Sequence, residues 1–161
     1  MAYSAYAVAN AFVRRAKEGR LPNLSPMKLQ KLMYFAHAWY CKYRNAPLLD
    51  DSFARWTHGP VIPSIYHEFK AYGYRPIDNM ATTLSMGVNG YAMNVPTVPD
   101  TDTDVWALID AVIGKFGHID AGRLSAMTHL PGSAWSAGKV AGQEADGSPI
   151  TFGEILSDQT I

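Results

Sequence analysis

The sequence predicts a mainly α fold: a single compact helical domain of about five to six helices, with a small β element, a hairpin, in the middle. Three observations carry this reading. Apolar residues recur at helical spacing in long stretches starting near Ala5, Pro26 and Asp104. Capping residues and helix breakers bracket each stretch. Between Arg75 and Pro99 the helical period fades, and apolar residues alternate around Asn89-Gly90. The chain has 161 residues and is 48% apolar, which suits one core spanning 1–161 and leaves too little for two full domains.

The first helix is predicted from Ala5 to about Glu18. Ser4 can cap it by accepting an orphan N–H. Val8, Phe12 and Ala16 share a face, with Ala5, Ala9 and Val13 beside them. Gly19 is placed to end it, with Arg14, Arg15 and Lys17 near the negative end of the dipole.

The second helix has Ser25 as N-cap and Pro26 at the first helical position, where a missing N–H costs nothing. Leu29, Leu32, Met33, Ala36, Tyr40 and Tyr43 form a stripe that Phe35 and Trp39 widen. A helix apolar on most faces belongs at the centre of the core. Lys28, Gln30 and Lys31 are its polar exceptions. Two lysines sit poorly at the positive end of the dipole. They are either a solvated helix start, partners of internal carboxylates such as Asp110 or Asp120, or contacts to a partner protein.

Asn45, Ala46 and Pro47 break this helix. Phe53 to Trp56 reads as a brief strand, and Gly59-Pro60-Val61-Ile62-Pro63 as a rigid, tightly turned segment. Pro63 opens a helix through Ile65, Tyr66, Phe69 and Tyr72 that Gly73 stops. Leu84 and Met86, then Tyr91, Met93 and Val95, make the alternating arms of the hairpin, in the region most free to move. A fourth helix begins around Thr101 to Asp104. Its core face is Val105, Leu108, Ile109, Val112 and Phe116, with Trp106 and Ile113 alongside, and Gly117 ends it. A fifth follows Asp120, with Pro131 just beyond, and a further piece begins at Ser133. Thr151 and Glu154 have capping-box spacing for a last turn or two.

Lys+Arg and Asp+Glu are 14 each. Zero formal charge excludes a strongly basic nucleic-acid binder and an acidic disordered tail as descriptions of the whole chain. The balance hides an asymmetry. There are 11 basic and 4 acidic residues up to Arg75, then 3 basic and 10 acidic, so the two parts carry +7 and −7. Either they attract and pack, or the basic part faces an acidic partner. The lone cysteine, Cys41, allows no internal disulfide and fits a reducing, cytoplasmic setting. The first residues have no basic region ahead of their apolar run, which predicts no secretory signal. No apolar run approaches the roughly 18 residues of a membrane span.

Motifs for catalysis, cofactors and metals do not emerge. Asp100, Asp102 and Asp104 open like a calcium loop, but that loop then needs Gly and Glu where Val105 and Ala111 stand. His37 and Cys41, one helical turn apart, read as buried and structural on an apolar helix. No glycine-rich phosphate cradle, nucleophile elbow or paired-carboxylate signature is present. The residues alone predict an interaction module with no enzyme activity and no cofactor.

Four segments go further: SPMKLQKLMYFAHAWY (Ser25 to Tyr40), APLLDDSFARWTHGPVIPSIYHEFKAYG (Ala46 to Gly73), LSAMTHLPGSAW (Leu124 to Trp135) and ITFGEI (Ile150 to Ile155). In this order they resemble the Panacea antitoxin domain, the SocA-like family of bacterial and phage toxin–antitoxin systems. The marks of that family are present as Lys28-Leu29-Gln30-Lys31-Leu32, as Trp56 with Gly59-Pro60-Val61, and as Thr128-His129 with Trp135. The resemblance spans about residue 5 to about residue 157. His58, just before Gly59-Pro60, is a variation on the pattern and not a site of its own.

The resemblance implies a helical fold without catalytic activity, and a partner toxin, usually encoded next door, that is neutralised by direct binding. In one branch of the family the antitoxin also delivers its toxin to an energy-dependent AAA+ protease. Many relatives carry an added DNA-binding segment; because the resemblance takes up nearly all of this sequence, none is expected here. The alternatives are a phage accessory protein that binds a host factor and a DNA-binding regulator using the basic part. The basic residues are scattered over helix ends, which predicts weak, salt-dependent nucleic-acid affinity at most. Trp56, Gly59, Pro60, Val61, Thr128, His129 and Trp135 are candidates for either core packing or the toxin interface. Thr128 and His129 can also close the C-terminal end of the fifth helix.

Overall fold

The structure, a computed structural model, describes residues 2–137 and 145–161. Six α-helices, one 3-10 turn and two small antiparallel hairpins account for its regular elements among these residues.

Local chemistry sets the helix boundaries. Helix α1 (Ala5–Lys17) starts where the Ser4 hydroxyl accepts the Ala7 N–H, and the chain leaves it through Gly19 at φ +79°. Helix α2 (Pro26–Arg44) starts at Ser25 with Pro26 in the first turn and stops at Asn45, which adopts the left-handed conformation at φ 52°. Strands β1 (Ala54–Trp56) and β2 (Gly59–Val61) pair antiparallel, with Ala54 opposite Val61. Helix α3 (Pro63–Phe69) runs on into a 3-10 turn at Lys70–Tyr72. Strands β3 (Thr83–Gly87) and β4 (Gly90–Asn94) form the second hairpin. Helix α4 (Thr103–Phe116) is capped by Asp102, one residue past the predicted box start at Thr101. Helix α5 (Ala121–Thr128) is capped by Asp120. Helix α6 (Phe152–Leu156) carries the complete Thr151/Glu154 capping box.

Helix α2 is the axis. Helices α1, α3, α4, α5 and α6 and strand β2 all pack against it. Leu29, Leu32, Met33, Ala36 and Cys41 are fully buried along it. Truncating one of the large ones typically costs roughly 2–5 kcal/mol. Phe35 stacks on Phe116 of α4 with ring centroids 4.3 Å apart. Tyr43 departs from the predicted stripe: it stands in solvent in the last turn of the helix.

Three further expectations change. Gly59-Pro60-Val61 is a strand and not merely a rigid turn; Thr57 and His58 make the turn. Ser133 to Ala137 forms turns, without a helix, and the rest of that predicted piece lies outside the described residues. In the second hairpin the turn residues are Val88 and Asn89, one position ahead of Asn89-Gly90, because Gly87 pairs with Gly90.

The charge asymmetry is used inside the molecule. Arg14–Asp100, Arg15–Asp110, Arg20–Asp110, Arg44–Asp104 and Arg55–Glu154 each join the basic part to the acidic part. The exposed pairs contribute little individually. Arg55–Glu154, at 2.6 Å and nearly inaccessible on the arginine side, is the exception.

Candidate functional site

The three motif segments meet at the β1–β2 hairpin. From α2, Gln30 makes a two-point bond to the main chain at Ile62: its Nε2 donates to the carbonyl at 3.0 Å, and its Oε1 accepts the N–H at 2.9 Å. This mimics one rung of a sheet. One residue on, Lys31 Nζ donates to the Pro60 carbonyl at 3.0 Å. Pro60 has no N–H to offer a neighbour, but its carbonyl is free to accept.

From α5, Thr128 Oγ1 donates to the Ser125 carbonyl at 2.6 Å, and His129 Nδ1 lies 2.6 Å from the same oxygen. These bonds close the C-terminal end of the helix. His129 Nε2 lies 2.9 Å from the Thr57 carbonyl in the β1–β2 turn, and Ser125 Oγ donates to the His58 carbonyl at 2.5 Å. Trp135 Nε1 donates to the Trp56 carbonyl at 2.9 Å, with its ring 4.0 Å from that of His129. Four carbonyls of one short hairpin are thus held by side chains from α2, from α5 and from the segment after it.

Gly59 sits where these elements press closest. Its φ is +112°, a region that L side chains rarely adopt. A Cβ there would stand 2.6 Å from Thr128 Oγ1 and 3.0 Å from Lys31 Cε. Both the backbone and the space therefore call for glycine. Val61 is buried, and the Trp56 ring meets Tyr66 edge to face at 5.1 Å.

Lys28 belongs to a different place. Its Nζ donates to the Gly117 carbonyl at 2.6 Å and to the Pro22 carbonyl at 3.0 Å. Gly117 caps the C-terminal end of α4, where the dipole is negative and carbonyls lack partners. Neither lysine is solvated: Lys28 is 3% and Lys31 1% exposed. Neither forms an ion pair with a carboxylate among the described residues; both rest on carbonyls instead. Burial lowers the Lys28 amine against the opposing pull of Asp120, and burial alone pushes Lys31 down to about 7.

Residues outside the predicted set complete the cluster. Arg55, on β1, is buried and donates to the carbonyls of Ala134, Trp135 and Pro149, to Ser148 Oγ and to Glu154. It ties the Trp135 segment and α6 to the hairpin. The only sign of it in the sequence is a single charge between Ala54 and Trp56 in a predicted strand. Asp158 is likewise buried and accepts the Ala134 N–H at 2.8 Å.

Beside the cluster lies an open cleft of about 770 Å³. Lys31, Arg55, His58, Lys70, Trp56 and Tyr66 contribute to its walls. The His37–Cys41 pair is separate and inert. The Leu49 N–H donates to His37 Nδ1, and His37 Nε2 faces Cys41 Sγ at 3.6 Å. Burial pushes His37 down to about 4 and the Cys41 thiol up to about 11, which opposes thiolate chemistry. No cluster of three or more His, Cys, Asp or Glu side chains suited to a metal occurs among the described residues. No helix among them is long and apolar enough to cross a membrane.

The segments that converge here coincide with a known sequence family. The family model described as "Antitoxin SocA-like, Panacea domain" matches residues 29–136, from the α2 motif to just past Trp135. Antitoxin SocA of Caulobacter vibrioides (strain NA1000 / CB15N) is 34% identical over 157 residues, covering 98% of this chain and 79% of that protein. No solved structure matches. With its three motifs assembled around one hairpin and this similarity along nearly its whole length, the chain belongs to the SocA-like, Panacea-domain family of antitoxins.

Proposed function

We propose that this chain neutralises a cognate protein toxin by direct protein–protein binding, in the manner of a type II toxin–antitoxin system. It acts in the cytoplasm as one domain and catalyses no reaction. The observation that carries this reading is the use made of the family's own residues. Gln30, Lys31, His129 and Trp135 direct polar atoms at the backbone of the β1–β2 hairpin or its flank, while Thr128 and His129 close the end of α5 on the Ser125 carbonyl. Such bonds hold a shape. A reaction centre would instead aim a nucleophile and a base at open space. Membership in an antitoxin family supplies the class of partner.

The test starts from the neighbouring reading frames. Each is expressed alone, and any that arrests growth is co-expressed with this chain. Relief of the arrest, together with a complex that survives co-purification from the two purified proteins, is the expected result. Relief without a physical complex would overturn direct binding. The toxin's half-life then separates two fates: it stays unchanged under simple sequestration and shortens under delivery to a AAA+ protease.

A further inference from the structure

The β3–β4 hairpin carries its apolar side chains on the outside. Its register pairs Leu84 with Met93 and Met86 with Tyr91. Strand alternation puts these four on one face and Thr83, Ser85, Ala92 and Asn94 on the other. Leu84, Met86, Tyr91 and Met93 are 61%, 71%, 68% and 65% exposed. Val88 in the turn and Val95 beyond β4 are exposed as well. Together the six present on the order of 700 Å², against the roughly 800 Å² that each partner contributes to a standard protein–protein interface. Monomers rarely leave contiguous apolar patches of more than a few hundred Å².

Two further features point the same way. No charged residue occurs between Asp78 and Asp100, although 17% of the chain is charged. Each strand also has one edge without a strand neighbour among the described residues. Exposed edges are normally guarded by charges, by Pro or by bulges, and a lone two-stranded hairpin is marginal in water. This one is unguarded and is gripped at its base. Buried Asn10 of α1 donates to the carbonyls of Ala81 and Pro96 and accepts the Ala81 N–H.

We propose that the apolar face of the β3–β4 hairpin is the surface that docks the toxin, and that the toxin meets it with an uncharged, apolar patch. This rests on the antitoxin reading above. The absence of charge over the whole element excludes an acidic or basic partner surface, which would lose its hydration without compensation. Tyr and Met are enriched at the cores of protein–protein interfaces. The flexible thioethers of Met86 and Met93 adapt to the irregular surface of an unlike partner. The motif cluster around Gly59, by contrast, already directs its donors inward.

The probe is the toxin identified by the growth-rescue experiment. Met86→Lys with Tyr91→Lys places a charged pair on the apolar face. Ser85→Lys with Ala92→Lys places the same repelling cross-strand pair on the opposite face and serves as the control. Calorimetric titration is expected to show the face variant weakened at least about 100-fold, as for loss of a central contact. It should also lose rescue while keeping the parent's melting temperature, with the control within about 3-fold of the parent. Should the double variant fail to fold, Met86→Ser replaces it, with about a 10-fold loss expected. Face variants that bind and rescue like the parent overturn the docking assignment and leave the antitoxin reading intact. A parent that forms no complex with any arresting product overturns both. A face variant that converts a dimer to a monomer in sedimentation while still binding toxin gives the face to a second copy of this chain, and also overturns the assignment.

Discussion

The β1–β2 and β3–β4 hairpins are built alike, as two short antiparallel strands around a tight turn, but one is inside the molecule and the other outside. Every residue of β2 is buried, and every residue of β4 is exposed. The first hairpin is covered by α2, α5 and the segment 145–150, which bonds along β1 through Gly147 to Arg55, Arg55 to Ser148 and Ile150 to Phe53. The second is held near its base, where Asn10 bonds to Ala81 and Pro96 and the Thr82 N–H donates to Glu68 Oε1 at 3.3 Å. A pair of short strands is stable to the degree that something covers it. The family's sequence marks gather on the covered hairpin, where a shape must be kept. They are absent from the bare one, where a partner's surface would decide which side chains are needed.

The largest effect that could break this contrast is at Arg55. Arg55→Ala would remove bonds to five acceptors, Glu154 Oε2 among them, and leave that carboxylate without its cation inside a nearly dry site. Removing one partner of a buried charged network typically costs roughly 3–5 kcal/mol. Urea unfolding at neutral pH is the measurement, and a loss of under 1 kcal/mol would mean that the first hairpin is held by something else. Next comes Gly59→Ala. It combines an unfavourable φ with a Cβ pressed on Thr128 Oγ1 and on Lys31, for a cost of about 2–4 kcal/mol. Gly90→Ala is the matched position on the bare hairpin. Its φ is +101° but nothing lies within 4 Å of the added carbon, so only the backbone part of the cost should appear.

Much of the helical frame is legible in the sequence because its signals are local. Ser4, Ser25 with Pro26, Asp120 and Thr151 with Glu154 each cap the helix that follows within a turn. The covered hairpin is less legible. Gly59-Pro60-Val61 looks like a rigid turn because glycine and proline are poor strand formers, and what makes it a strand is pairing with β1 and cover from α2. Lys28 and Lys31 mislead for a related reason. At a helix start they read as open to solvent, to an internal carboxylate or to a partner, but the carbonyls that receive them, at Gly117 and Pro60, lie 89 and 29 residues away. Of the motif residues, Gln30, Lys31, Trp56, Gly59, Pro60, Val61, Thr128, His129 and Trp135 come together, and Lys28 does not. Arg55 and Asn10 escape notice because their acceptors, too, are distant backbone atoms that no local pattern announces.

Lys31 offers a finer probe of the covered side. Its amine falls from the ordinary 10.5 to about 7 in the folded protein. From about pH 7 upward the unfolded chain keeps this proton and the folded chain releases it. Stability therefore rises with pH, by at most about 1.4 kcal/mol per pH unit for one proton. Above about 9 the Cys41 thiol offsets this rise, since it is held near 11 in the fold and ionises first in the unfolded chain. Lys31→Met keeps the apolar stem and removes the titrating group. The difference between parent and variant unfolding free energies should slope between pH 7 and 9 and be flat from pH 5 to 6. A parallel pair of curves would mean that Lys31 stays charged, and hence hydrated, in the folded state.

The smallest effect on stability belongs to the bare hairpin. Leu84, Met86, Tyr91 and Met93 changed together to Thr keep β propensity and remove the apolar face. Isolated surface substitutions usually fall within about 0.5 kcal/mol of the parent. The two cross-strand pairs lost here, Leu84–Met93 and Met86–Tyr91, carry roughly 0.2–1 kcal/mol each. That loss is local, because none of the four side chains reaches the core around α2. The expected outcome is split. The thermal midpoint stays close to the parent's, while the amides of β3 and β4 exchange faster and those of α2 do not change. A midpoint that falls as far as for Gly59→Ala would make the second hairpin a load-carrying part of the core and erase the contrast. An unchanged exchange rate would mean that the bonds of Asn10 to Ala81 and Pro96 hold the hairpin without help from its own cross-strand pairs, which would leave the exposed apolar face with no role in the free protein's fold.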